Sequence, residues 1–271
     1  MTINRERIAF IGGGVMGETV LAALIAGGFP TEQLIVSSPR ATRLDYLAER
    51  YGVSVNTDNS VAAAGSGVVV IATKPHQVLD VLAEIRGVLE SGALVISLAA
   101  GVTIEKLEDA LPAATPVIRV MPNTPAKVGA GMSAISPGLY ATDVEVNVAH
   151  TIMAACGEVI VIDEKYQNAL TAVSGSGPAY IFLVAQAMID AGVQLGLTRQ
   201  IATKLTEQTM LGAARLMLET GEHPTVLKEM VTSPGGTTAQ ALSVLESYQL
   251  RTAFTEAMQA CYEKAVELGQ L

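Results

Sequence analysis

Two hydrophobic patterns divide this chain. Over roughly its first 160 residues, short continuous apolar runs alternate with stretches of helical spacing. The runs predict strands at Ile8–Ile11, Leu34–Val36, Val68–Ala72, Leu94–Leu98, Val117–Met121 and Val159–Ile162. Helical spacing marks 18–26 and 41–51, the second with Leu44, Leu47 and Ala48 on one face. Strands apolar on both faces, separated by helices, predict a parallel sheet covered on both sides.

Beyond about Glu164 the runs lengthen and only helical periodicity is left. Phe254, Ala257, Met258, Cys261, Ala265 and Leu268 form one stripe, and Glu256, Glu263 and Glu267 lie off it. The stretch Met210–Leu218 is apolar nearly all round, which predicts burial between helices or between subunits. The change of pattern places a domain boundary near Asp163, giving an α/β domain over 1–163 and a helical domain over 164–271. No repeat or low-complexity segment interrupts either.

Composition narrows the function classes. Half of the 271 residues are hydrophobic, enough for a large core, and the formal net charge is -9. The 17 Lys+Arg form no long run, which argues against nucleic acid and anionic membranes as partners. The N-terminus lacks the apolar core of a signal peptide. Gly and Ala interrupt the apolar runs, so no membrane span is expected, and the expected location is cytoplasmic. Cys156 and Cys261 are far apart and outside any CxxC spacing, as expected of small buried hydrophobes in a reducing compartment. His76, His150 and His223 show no ligand spacing, so no metal is expected.

The candidate chemistry starts at Gly12-Gly13-Gly14-Val15-Met16-Gly17, a G-x-G-x-x-G after a strand and before a helix. In that context the first glycine permits a tight turn, the second lets a pyrophosphate approach the backbone, and the third lets the helix pack on the sheet. The fold class is therefore an N-terminal Rossmann-like doubly wound sheet followed by an all-helical domain. About 20 positions on, where NAD sites carry a carboxylate, the chain reads Val36-Ser37-Ser38-Pro39-Arg40. Hydroxyls and an arginine suit a 2′-phosphate, so NADPH is preferred over NADH; the competing reading is an exposed turn with an incidental arginine. Ala72-Thr73-Lys74-Pro75 and Ala99-Ala100 end later strands, where the ligand crevice of such a sheet opens. His76 is read as structural rather than as a base. Asn123, in the rigid Pro122–Pro125 turn, could face a substrate.

Near the other end, Ser233-Pro234-Gly235-Gly236-Thr237-Thr238 runs into a helical pattern. Unpaired amides at a helix start suit a carboxylate, and the threonine hydroxyls can donate or accept a proton. For Thr238 the competing reading is a helix N-cap.

These segments, in this order, resemble the pyrroline-5-carboxylate reductase family. The resemblance rests on the Gly-rich turn, Lys74-Pro75-His76, Ala99–Ile104, Asn123–Pro125, Ser174–Tyr180, His223-Pro224 and Ser233–Thr238. It implies reduction of (S)-1-pyrroline-5-carboxylate to L-proline, the last step of proline synthesis. It implies that the helical half dimerises by interleaving and binds substrate; some members build rings of dimers. By analogy Ser38 and Asn59 lie near the adenosine ribose and its phosphate, and Ala72–Pro75 with Ala99-Ala100 line the cofactor cleft. Glu164 and Ser233, Gly235, Gly236, Thr237 and Thr238 surround the substrate, and Thr238 hydrogen-bonds the ring nitrogen. In related hydroxyacid dehydrogenases a lysine follows the stretch corresponding to Ser174–Tyr180 within one helical turn. Here Ile181-Phe182-Leu183 follows and the next lysine is Lys204, which suits imine reduction better than alcohol oxidation. The rival readings are a reductase of another cyclic imino acid and a non-catalytic NADP-binding regulatory protein.

Overall fold

The computed structural model of this chain describes residues 7–270, the last by its backbone alone. By internal contacts the chain divides into two compact units. One comprises the residues up to Ser176 together with those from Cys261 onward; the other is Gly177–Ala260.

The first unit is built on an eight-stranded sheet. Its strands are β1 (Ile8–Ile11), β2 (Leu34–Ser37), β3 (Ser54–Asn56), β4 (Val68–Ile71), β5 (Leu94–Ser97), β6 (Val117–Met121), β7 (Gly131–Pro137) and β8 (Gly157–Val161), in the order β3-β2-β1-β4-β5-β6-β7-β8. The helices between them are α1 (Val15–Ala26), α2 (Ala41–Tyr51), α3 (Asn59–Ala63), α4 (Val78–Ile85), α5 (Ile104–Asp109) and α6 (Asp143–Ala154). Alternation along each strand separates two cores. Ile8, Phe10, Val68, Val70, Leu94 and Ile96 pack on one face, and Ala9, Ile11, Val69, Ile71 and Val95 on the other. All eleven are fully buried, so these strands carry no polar face.

Two corrections to the expected sheet follow. β3 and β7 were not expected, and β7 runs antiparallel to β6, so the sheet is not parallel throughout. β3 has one apolar residue in three and lies at an edge. β7 buries Ser133 and Ser136 rather than an apolar run. The burial of Ser136 is tolerated because polar partners are at hand: its Oγ donates to Ile162 O at 2.8 Å and accepts from Gln167 Nε2 at 2.9 Å.

After β8, the short helix α7 (Gln167–Leu170) leads into a π turn at Thr171–Gly175, where Ser176 N donates to Thr171 O at 2.8 Å. The glycines of this stretch loosen the helix without breaking it. Helical turns therefore continue over Glu164–Gln194, a run long and apolar enough to cross a membrane by length and composition. This corrects the expectation that glycines interrupt every such run.

The second unit holds α8 (Gly177–Gln194), α9 (Arg199–Thr220), α10 (Pro224–Met230), α11 (Thr237–Ser247) and most of α12 (Leu250–Gln270). Two of these starts have a local cause. Thr198 Oγ1 accepts from Ile201 N at 3.3 Å, and His223 Nδ1 accepts from Thr225 N at 3.2 Å before Pro224. The stripe on α12 leaves Phe254, Met258, Cys261 and Ala265 half-buried, with all three glutamates exposed. Met210–Leu218 is not buried between helices of its own chain. α9 buries only Ala202 and Thr206, and Leu218 is 83% exposed.

Candidate active site

β1 delivers the chain into Gly12 at φ +110°, a backbone region that L side chains rarely adopt. Its N–H donates to Ser37 O at 3.0 Å. A Cβ added there would lie 2.8 Å from the backbone carbon and oxygen of Ala72, so β1 and β4 leave room only for glycine. A Cβ on Gly17 would collide with the carbonyl oxygen of Gly12, which lets α1 pack directly on the turn. Gly14 is the N-cap of α1 and has no side-chain capping bond. The nearest atom to a Cβ there is Ala72 O at 3.9 Å. The first amides of α1 thus have no capping side chain, which suits them to a pyrophosphate. Gly13 packs on Leu47, Met16 is half-buried, and Val15 is exposed.

A clamp holds this turn. Arg43 Nε donates to Gly13 O at 2.6 Å, and the same guanidinium pairs with Glu18. Glu18 also accepts from Tyr51 Oη at 2.9 Å. Burial pushes the Glu18 carboxyl up, but hydrogen bonds from Arg43 and Tyr51 outweigh it and hold the carboxyl below its ordinary value. Sequence reasoning missed Arg43. Its partners are 30 and 25 positions away, and no local motif signals such a contact.

Past the turn, Gly12, Ser37, Ser38, Asn59 and Thr73 line one cleft of about 700 Å³ at the carboxyl ends of β1, β2 and β4. Thr73 Oγ1 is buried and has no hydrogen-bond partner among the described residues, an unspent polar group suited to a ligand. These features fit a nicotinamide dinucleotide. Ser37 is fully buried, and its Oγ donates to Asn59 Oδ1 at 2.7 Å. Arg40 is exposed and is not among the residues lining the cleft.

A second cleft of about 550 Å³ lies at the ends of β4 and β5. Pro75, His76, Ala100 and Lys106 line it together with Leu268 from the end of α12. Lys106 Nζ donates to Gly269 O at 3.2 Å and so holds a carbonyl at the tail of α12. Ala72 and Ala99 lie just past the ends of β4 and β5, Ala72 half-buried and Ala99 buried, and Lys74 is exposed. His76 is exposed as well, on the short Pro75–Gln77 turn, rather than packed into the core.

The expected substrate residues fall into two groups. In the first unit, Glu164 Oε1 accepts from Arg119 Nη1 at 2.8 Å and from Ile104 N at 2.7 Å. Asn123 Nδ2 donates to Ser174 O and Oγ, both at 3.2 Å, and its Oδ1 accepts from Met132 N at 2.9 Å. Both side chains are therefore engaged in fastening loops to the sheet. In the second unit, Ser233–Gly236 forms a turn closed by Gly236 N to Ser233 O at 3.0 Å. Gly236 is the N-cap of α11, with no side-chain capping bond, so Thr238 is a residue of the first turn and not the cap. The helical ladder begins with Gln240 N to Gly236 O at 3.2 Å, leaving the amides of Thr237, Thr238 and Ala239 ahead of it. Thr238 is half-buried and Thr237 exposed. Among the described residues no group of three or more His, Cys, Asp or Glu could hold a metal ion.

Comparison with known proteins gives this geometry its context. Residues 164–268 match a family model described as pyrroline-5-carboxylate reductase dimerisation. Residues 7–101 match one described as NADP oxidoreductase coenzyme F420-dependent. A pyrroline-5-carboxylate reductase of Synechocystis is 46% identical over 269 residues, covering 97% of this chain and 98% of the relative. The chain belongs to the pyrroline-5-carboxylate reductase family. Another family member, from Escherichia coli K12, is 40% identical, covering 98% of this chain and 99% of the relative. Among solved structures, a pyrroline-5-carboxylate reductase from Coxiella burnetii superposes with a TM-score of 0.92 at 44% identity, covering 98% of this chain and 99% of that one. A Plasmodium falciparum pyrroline carboxylate reductase with NADP bound gives 0.90 at 30%, covering 99% and 100%. The family supports NAD(P) binding, a small-molecule substrate and oligomerisation through the helical region.

Proposed function

We propose that this chain reduces (S)-1-pyrroline-5-carboxylate to L-proline with NADPH in preference to NADH. The observation that carries the reading is the match to pyrroline-5-carboxylate reductases over nearly the whole chain. The Gly-rich turn and the Ser233–Thr238 loop lie within the matched length.

The roles divide between 1–163 and 164–271. In the first, Gly12–Gly17 takes the pyrophosphate; Ser37, Ser38, Arg40 and Asn59 take the ribose and its phosphate. Ala72–Pro75 with Ala99-Ala100 flank the nicotinamide. When bound, the reduced nicotinamide supplies the hydride. In the second, the amides ahead of the α11 ladder, with Ser233, Gly235 and Gly236, hold the substrate carboxylate. The Thr238 hydroxyl hydrogen-bonds the ring nitrogen and relays a proton from water. A hydroxyl is a weak acid, so its share falls at the lower end of the range of about 10²–10⁴-fold for a positioned proton donor. Glu164 and Asn123 act on the substrate through the loops they fasten.

Hydride transfer requires the nicotinamide and the carboxylate cradle to meet, within one chain or across a dimer. A homodimer is supported by the apolar faces that α8 and α9 leave uncovered, with Phe182 66%, Leu183 67% and Leu218 83% exposed. A ring of dimers is the larger assembly to weigh by light scattering. The same reading places the enzyme in the cytoplasm.

The test is loss of 340 nm absorbance with pyrroline-5-carboxylate, run with each cofactor and repeated with a six-membered cyclic imine. Wild type is expected to oxidise NADPH fastest with the five-membered ring. Thr238→Val is expected to keep cofactor affinity and lose about 10²-fold in kcat. No oxidation with any imine would overturn the activity, and full turnover by the variant would remove Thr238 from the mechanism.

A further inference from the structure

Three carboxylates, Asp58, Asp80 and Glu84, line the ribose cleft, and no lysine, arginine or histidine joins them. Asp58 is committed as the N-cap of α3, its Oδ1 accepting from Ser60 N at 2.7 Å and Val61 N at 3.3 Å. Asp80 sits in the first turn of α4. Glu84 is different, because it is bonded to a residue assigned to the cofactor. Its Oε2 accepts from Asn59 Nδ2 at 2.6 Å.

That bond fixes the polarity of the site. A carboxylate can only accept, so the amide –NH₂ of Asn59 must face Glu84 and its carbonyl must face Ser37. The Ser37 hydroxyl must then donate to Asn59, at 2.7 Å. Having one proton and having spent it, the buried Ser37 hydroxyl in the cleft wall presents only lone pairs there. Lone pairs welcome the donor of a free ribose 2′-hydroxyl and repel a 2′-phosphate. The two short bonds also keep the Glu84 charge within a Debye length of Ser37, about 8 Å at physiological ionic strength, so the phosphate would feel it directly.

We propose that Glu84 is a specificity-determining residue that works through Asn59 and Ser37 to favour a free 2′-hydroxyl, and so narrows the enzyme's preference for NADPH. The proposal rests on the reading that Ser37 and Ser38 meet the 2′ position. Glu84→Gln removes the charge yet keeps a side chain that can bond Asn59 in either orientation, freeing Ser37 to donate outward. Asp80→Asn removes a charge from the same cleft without touching Asn59.

Calorimetric titration of the whole enzyme, without substrate, with 5′-AMP and with 2′-phospho-AMP separates these effects. The ratio of the two dissociation constants is expected to move about three- to tenfold toward 2′-phospho-AMP in Glu84→Gln. It is expected to move less than about twofold in Asp80→Asn, and the shift in Glu84→Gln to shrink in high salt. NADPH and NADH KM values should follow the same order. An unchanged ratio in Glu84→Gln, or an equal shift in Asp80→Asn, overturns the proposal. A wild type that binds 5′-AMP as tightly as 2′-phospho-AMP instead overturns the NADPH preference, while the shift between wild type and Glu84→Gln still decides the role of Glu84.

Discussion

Replacing Glu164 with alanine isolates what its pairing with Arg119 does. The Arg119 side chain is 6% exposed and that of Glu164 31%. Truncation would strand a guanidinium away from water and remove the acceptor for Ile104 N at the start of α5. Breaking a fully buried pair this way costs about 3–5 kcal/mol. Water already shares part of this carboxylate, so we expect about 2–3 kcal/mol for Glu164→Ala. Glu164→Gln keeps an acceptor for both donors and should lose only about 1 kcal/mol. Urea unfolding at fixed protomer concentration reads both as midpoint shifts at constant slope. The double variant with Arg119→Met completes the cycle, and a coupling of at least about 1 kcal/mol is expected for groups in direct contact. Refutation would be a loss under about 0.5 kcal/mol for Glu164→Ala, the ordinary size for a surface change. A rise in substrate KM with no loss of stability would assign the carboxylate to the substrate instead.

Three further outcomes are expected. Gly12→Ala should lower NADPH affinity by at least about tenfold, equivalent to 1.4 kcal/mol, because φ is +110° and the added Cβ meets Ala72 backbone at 2.8 Å; cofactor titration at wild-type values would contradict it. The folded Glu18 carboxyl sits below its ordinary value of 4.5, so its stabilisation is present above pH 4.5 and fades as pH falls through the lower folded value. Glu18→Gln should therefore flatten the acid limb of stability, and an unaltered limb counts against the clamp. Burial pushes the Cys156 thiol up to about 11, so at pH 8 a thiol reagent should spare it until the protein unfolds; native labelling of Cys156 as fast as Cys261, followed by mass spectrometry, would rule this out.

What the sequence made legible was whatever depends on near neighbours. β1, β4 and β5 were readable because they are buried on both faces and therefore apolar at every position but Ser97. β7 was not, because Ser133 and Ser136 interrupt its apolar run, and Ser136 is satisfied there by partners 26 and 31 positions away. The Gly-rich turn was visible since its glycines fall within six residues, although the atom that crowds Gly12 belongs to Ala72. The contacts that fix it, Arg43 to Gly13 and Glu18, and those that orient Asn59, from Ser37 and Glu84, cross 22 to 30 positions. Met210–Leu218 was read as buried between helices or between subunits, and its own chain does not cover it; periodicity says that a face is apolar, not which chain covers it. Thr238 was weighed as a helix cap, a duty the backbone gives to Gly236.

The sheet-bearing unit is not continuous in sequence, because residues 177–260 are interposed before its closing piece. During translation the strands leave the ribosome first. The thiol that meets Ser176 and the Gly269 carbonyl that Lys106 holds leave only after residues 177–260. A nascent chain thus folds its nucleotide-binding unit early but finishes it only after the interposed residues have emerged. A truncation after Ala260 would therefore wound the unit encoded first, and leave residues 177–260 intact.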